Sequence, residues 1–282
     1  MSQRLPIGVF DSGVGGLTVA LAVRQALPHE DILYLGDTAR VPYGTRSPQT
    51  VQRYAERVAG HLVRRGIKAL VVACNTATTY ALPALREVGR VRGIPVIGVI
   101  EPGVHAALAR TRNKHVGIIG TEGTIRGGVY RDLLNRLDPE VQVHEVACPL
   151  FVSLAEEGWT DGEVAFLAAK RYLAELQDGP DTLILGCTHY PLLRKTIGKA
   201  LPGVVLVDSA RATALEVTDV LDLHGLHTQG SEPGQLQCLV TDNIERFVEV
   251  GTRFMGKAPE QVELVDLAEG DSAAWKMGGV AK

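Results

Sequence analysis

The sequence predicts an α/β fold with mainly parallel sheets, built as two halves of similar design. Three observations carry this. First, short apolar runs alternate with amphipathic stretches of helical period along the 282 residues. Strands separated by helices build parallel sheets covered on both faces. Second, an early strand in each half runs into a glycine-containing turn, Asp11-Ser12-Gly13-Val14-Gly15-Gly16 and then Gly120-Thr121-Glu122-Gly123-Thr124. Third, an apolar run in each half ends in cysteine: Leu70-Val71-Val72-Ala73 before Cys74-Asn75-Thr76, and Leu183-Ile184-Leu185-Gly186 before Cys187-Thr188-His189.

Taken in order, the strands are expected at residues 7–10, 32–35, 69–73, 96–99, 116–119, 141–146, 182–185, 204–207 and 236–241. Each is a short apolar run of the length of a buried strand. Helices are expected at 48–65, 77–88, 161–176, 192–201 and 210–223, where apolar residues recur at helical spacing. The change of domain falls near 95–102 and the return near Asp208. An N-terminal α/β domain carrying Cys74 then comprises 1–97 and 208–267, and a second α/β domain carrying Cys187 comprises 98–207. Residues 229–235 read as a surface loop. Residues 268–282, rich in Gly, Ala and charge, read as a flexible tail.

Composition excludes several classes of function. Apolar residues make up 45%, enough for a full core. The net charge is −3, from 29 basic and 32 acidic residues, with no extended basic run. Nucleic acid and anionic membrane are therefore not expected partners. No apolar stretch has the length of a membrane helix, which needs about 20 residues. The chain opens directly on a strand without a signal-peptide pattern, so cytoplasmic residence is expected. The four cysteines form no Cys-x-x-Cys pair, which argues for free thiols in a reducing compartment and against zinc ligation.

Chemistry concentrates at strand ends, where open α/β sheets build their sites. A lone cysteine is usually a small buried hydrophobe, and Cys148 and Cys238 are read that way. Cys74 and Cys187 differ in being two thiols in parallel contexts with polar neighbours. A thiol has a pKa of roughly 8.5 and can be tuned to either protonation state. Two such groups could remove a proton from one face of a planar intermediate and return one to the other. Asp11 is either a turn-forming carboxylate or one that orients a substrate ammonium and biases the Cys74 proton. The glycines after it do not follow the dinucleotide spacing. Tyr43 and Gly44, after the second strand, are candidates for one wall of the site, while Arg40 and Arg46 beside them read as solvated surface groups. His189 is either an ordinary polar residue at a helix start or one that lowers the Cys187 thiol pKa or holds its proton. By pattern alone, Glu156 reads as an exposed helix-end charge. No lysine sits in a pyridoxal-phosphate context, and no P-loop or metal spacing is present, so the chemistry is expected to need no cofactor.

Taken together, these motifs resemble the glutamate racemases of the aspartate/glutamate racemase superfamily. The resemblance rests on Phe10-Asp11-Ser12-Gly13-Val14-Gly15-Gly16-Leu17, Asp37-Thr38-Ala39-Arg40-Val41-Pro42-Tyr43-Gly44, Ala73-Cys74-Asn75-Thr76-Ala77, the Gly120–Thr124 turn and the stretch from Leu183 to Leu192. Their joint order and spacing run in register from about Ile7 to Leu267. The resemblance implies a site in the cleft between pseudo-symmetric domains, and cofactor-free interconversion of L- and D-glutamate for bacterial peptidoglycan. It implies that Cys74 acts on the D-enantiomer and Cys187 on the L-enantiomer. It makes Asp11, His189 and Glu156 their auxiliaries. Substrate-lining positions would be Asp11, Ser12, Tyr43, Gly44, Asn75, Thr76, Thr188 and His189, with Thr121 or Thr124. It also implies a homodimer. Other readings stay open. Aspartate or hydantoin racemisation would use a related site, and a single-cysteine decarboxylase would leave one thiol unexplained. A binding module could sense an amino acid or act on a protein partner such as a topoisomerase. A Cys-His hydrolase would leave Cys74 without a role.

Overall fold

The computed structural model describes residues 4–268 and 270–276. Ten strands among them form two all-parallel sheets. The first four are β1 (Ile7–Asp11), β2 (Ile32–Gly36), β3 (Ala69–Val72) and β4 (Val96–Gly98). The next four are β5 (His115–Gly120), β6 (Gln142–Ala147), β7 (Thr182–Gly186) and β8 (Val205–Asp208), followed by β9 (Leu236–Val240) and β10 (Gln261–Leu264). One sheet has the order β10-β9-β2-β1-β3-β4 and the other β6-β5-β7-β8.

The two sheets share one winding. In each, the first strand takes the second on one side and the third on the other, so β5, β6, β7 and β8 repeat β1, β2, β3 and β4. The reversal of strand order falls between β1 and β3, and again between β5 and β7. A crevice opens at such a point beyond the carboxyl ends of the strands. Cys74 follows β3 and Cys187 follows β7. The central strands β1, β2, β3 and β7 are buried along their whole length, as their unbroken apolar runs require.

Helices cover both faces: α1 (Leu17–Ala26), α2 (Pro48–Arg65), α3 (Asn75–Arg92), α4 (Ile100–Leu108), α5 (Glu122–Gly127) and α6 (Val129–Leu137) come first. They are followed by α7 (Leu150–Glu156), α8 (Gly162–Tyr172), α9 (Arg194–Ala200), α10 (Ser209–His224), α11 (Ile244–Met255) and α12 (Gly270–Lys276). α2 starts where Ser47 caps it, accepting from Thr50 N–H, with Pro48 in the first turn. α3 ends on Gly93 in the left-handed region. Among the described residues no helix is long and apolar enough to cross a membrane.

Two expectations need correction, and one strand was not foreseen. The tail is not loose up to Lys276, because α12 lies against α2 with Trp275 fully buried. Gly60 permits this close approach, since a Cβ there would meet the Asp271 carbonyl. Arg64 pairs with the buried Asp271, and Arg92 Nε donates to the Trp275 carbonyl at 2.8 Å. Residues 269 and 277–282 of that expected tail lie outside the described residues. The strand β10 was not foreseen: Gln261-Val262-Glu263-Leu264 is a half-exposed edge strand with two apolar residues, too weak a run to read locally. The single helix expected over 192–201 is a 3₁₀ turn, Tyr190–Leu193, followed by α9.

Candidate active site

On the first sheet, β1 delivers Asp11 into a tight loop. Its Oδ2 accepts from Gly13 N–H at 3.2 Å and Gly16 N–H at 3.1 Å, while Tyr34 OH donates to the Gly13 carbonyl at 2.7 Å. Gly16 is needed for this turn, because a Cβ there would stand 2.5 Å from Asp11 Cβ. Cys74 caps α3, with Ala77 N–H donating to its Sγ at 3.4 Å, and the thiol points to Ser12 Oγ at 3.7 Å. A helix N-terminus favours a thiolate. Burial outweighs that effect and, with the Asp11 charge adding to it, pushes the Cys74 thiol up to about 12. Burial likewise raises Asp11 from the usual carboxylate range, against the pull of the His189 charge.

On the second sheet, Cys187 Sγ lies 3.8 Å from His189 Nδ1, which is also 3.4 Å from Thr188 Oγ1. His189 Nε2 donates to Glu156 Oε1 at 3.0 Å, and the Phe254 ring stands perpendicular to the imidazole with centroids 5.2 Å apart. Burial alone would lower the histidine pKa. The hydrogen bonds and charges of Cys187 and Glu156 overcome this and push it up to about 10. His189 is therefore held as a cation at neutral pH. Burial would raise Glu156, but its hydrogen bond to His189, with the charges of His189 and Arg246, brings it below the usual carboxylate value. A Cys187 charge adds a smaller push in the same direction on Cys74.

Contacts between the two sheets draw these halves into one site. Thr76 Oγ1 is 2.9 Å from Thr121 Oγ1 and 3.2 Å from Thr124 Oγ1. Tyr80 OH donates to the Gly123 carbonyl at 2.7 Å, and Tyr130 OH to Asn75 Oδ1 at 2.7 Å. Gly44 lies against Thr121 and Gly15 against Thr188 and His189, in each case with no room for a Cβ. A crevice runs between the sheets past Asn75, Cys187, Thr188 and Ser209. A second cavity of about 220 Å³ touches Gly13, Val41, Glu156 and Arg246.

The candidate residues form contact groups: Ser12 with Cys74, Thr76 with Thr121, and Cys187, Thr188 and Glu156 with His189, while Asp11 meets Gly13 and Gly16 and Asn75 meets Tyr130. Tyr43 spends its hydroxyl on Asp37 Oδ2 at 2.7 Å. Two pattern-level expectations are corrected. Glu156 is half-buried and bonded to His189 because α7 brings it over the Cys187 loop. Arg40 is not freely solvated, because it is half-buried and pairs with buried Asp37 at 2.7 Å. Cys148 and Cys238 are buried, as expected of core thiols, and burial raises both. Sequence reasoning missed Tyr130 and Gly15. Tyr130 is the one aromatic on a short amphipathic helix, and nothing local separates it from an ordinary core residue. Among the described residues no group of three or more His, Cys, Asp or Glu is arranged to hold a metal ion.

Comparison with known proteins gives consistent relatives. Residues 17–217 match the model of the Asp/Glu/Hydantoin racemase family. A glutamate racemase from Geobacter metallireducens is 56% identical over 252 residues, covering 89% of this chain and 92% of its own. The crystal structure of a glutamate racemase isoform from Bacillus anthracis superposes with a TM-score of 0.89 at 40% identity, covering 94% of this chain and 98% of that one. A glutamate racemase from Francisella tularensis, solved in complex with D-glutamate, superposes with a TM-score of 0.88 at 38% identity and the same coverage of 94% and 98%.

Proposed function

The chain belongs to the Asp/Glu/hydantoin racemase family, and on that premise we propose that it interconverts L- and D-glutamate through two opposed thiols without a cofactor. The observation that carries this reading is the pair of buried cysteines at corresponding strand ends of two identically wound sheets, each with its own polar partners. The division into domains 1–97 with 208–267, and 98–207, is part of the same proposal and is supported by the membership of the two sheets.

The resting charges suit one direction first. The His189 cation lies 3.8 Å from Cys187 Sγ, while burial and the Asp11 charge keep the proton on Cys74. With L-glutamate bound, the Cys187 thiolate takes the α-proton and the electron pair spreads onto the α-carboxylate. Cys74 then gives its proton to the opposite face, yielding D-glutamate, a Cys187 thiol and a Cys74 thiolate. The D-to-L direction runs these steps backward. The α-carboxylate must be met by donors as charge grows on it, and the Asn75 amide, the Thr76 and Thr121 hydroxyls and the Tyr43-Gly44 backbone are the candidates. Asp11 takes the substrate ammonium, whose charge offsets the carboxylate beside Cys74. Desolvation strengthens each of these interactions.

The product serves peptidoglycan synthesis, in the cytoplasm. The homodimer implied by the sequence resemblance is tested by sedimentation velocity. The activity is tested on purified protein with L-glutamate in D₂O, following optical rotation and α-deuterium by NMR. Loss of rotation with deuterium appearing first in D-glutamate is expected. No exchange, with L-aspartate also inert, would sink the racemase reading in favour of an amino-acid sensor. Equal early labelling of recovered L-glutamate and of D-glutamate would replace two bases by one.

A further inference from the structure

Tyr130 lies between the two thiol loops. It is carried by α6 and is buried. Its hydroxyl donates to Oδ1 of Asn75, the residue directly after Cys74. Its ring stands against Gly186, the residue directly before Cys187, where a Cβ would come within 3.2 Å of Tyr130 Cε2. The phenol oxygen also lies 3.4 Å from Ser209 Oγ at the start of α10. With its own proton committed to Asn75, it accepts from the serine. Burial pushes the phenol pKa up, so the group remains a donor at any working pH.

The Asn75 carboxamide has an accepting end and a donating end. Because Oδ1 is held by Tyr130, the N–H₂ end turns away from the phenol. Asn75 also lines the crevice that contains Cys187 and Thr188. Two N–H donors suit a carboxylate, whereas a flipped amide would present an oxygen to it and repel it. The reaction also needs both thiols in reach of one carbon, and errors near 1 Å in such geometry cost about 10²-fold.

We propose that Tyr130 is a positioning residue: it fixes the Asn75 amide with its N–H donors toward the substrate α-carboxylate and sets the spacing of the two thiol loops. This rests on the glutamate racemase reading above.

The test is Tyr130→Phe, which keeps the ring and removes only the hydroxyl. Enantiomers have equal free energy, so kcat/KM must be the same in both directions for any variant, and the information lies in how the loss divides. We expect kcat/KM to fall about tenfold, the scale of one lost hydrogen bond, with KM rising for both enantiomers and carrying most of the change. In an Asn75→Ala background the same substitution should change kcat/KM by less than about twofold, because the phenol acts through the amide. Thermal unfolding of each variant shows that the fold is retained. Wild-type kcat and KM in Tyr130→Phe would overturn the assignment, and so would a full tenfold loss on top of Asn75→Ala. A wild-type protein that exchanges no α-proton overturns the racemase reading and this one with it, whereas an active wild type beside an unaffected Tyr130→Phe overturns this one alone.

Discussion

Cys74 and Cys187 carry the same side chain in unlike surroundings, one beside a carboxylate and one beside an imidazolium. The asymmetry suits a pair whose members act on opposite faces of one carbon. Cys74→Ala and Cys187→Ala should each lower racemisation at least about a thousandfold, within the range for loss of a general acid or base. Each should still eliminate from one enantiomer of an analogue with a β-leaving group. Near wild-type racemisation by either variant would remove that thiol from the mechanism. Asp11→Asn should lower kcat more in one direction than the other, with KM shifting so that the ratio of the two efficiencies stays at unity. An unchanged kcat both ways would leave Asp11 as a loop former only. The His189 pKa is raised from 6.5 to about 10. The stability it contributes is therefore fully present below pH 6.5 and is lost as pH rises through about 10. Thermal unfolding across that window should decline more steeply in the wild type than in His189→Asn. Parallel curves would show that the His189–Glu156 pair adds nothing to stability.

At the scale of elements, buried central strands were legible because an unbroken apolar run of four to six residues is a local signal. α2 begins and ends at the expected residues, Pro48 and Arg65. β10 and α12 were not legible, since neither has enough apolar residues to declare itself. α12 forms because Trp275 and Asp271 find a groove on α2 opened by Gly60. Trp275→Ala should therefore cost about 3–5 kcal/mol, as for other buried tryptophans. Urea denaturation measures it, and racemisation by the folded fraction should stay within about twofold. A loss under about 1 kcal/mol would mean that α12 adds little to the fold in solution.

At the scale of the whole molecule, small residues and hydroxyls bring the two sheets together at the site. Gly15 is the tightest of these contacts at the Cys187 side: a Cβ there would stand 2.3 Å from Thr188 Oγ1 and 2.6 Å from His189 Nδ1. Gly15→Ala should leave the circular dichroism spectrum unchanged and lower kcat/KM about a hundredfold by displacing the histidine from its thiol. Full activity would show that the two halves have room to spare at this point. The sequence by itself determined the alternation of strands and helices, the two strand-end cysteines and the polar residues beside them. These follow from periodicity and turn chemistry, which act over a few residues. Only the tertiary structure decided that β9 pairs with β2 and β10 adds beyond it, that Glu156 hydrogen-bonds His189, and that Tyr130 binds Asn75. Those contacts join residues far apart in the chain. They are selected by strand pairing, burial and the need to satisfy buried polar groups, for which no local pattern is diagnostic.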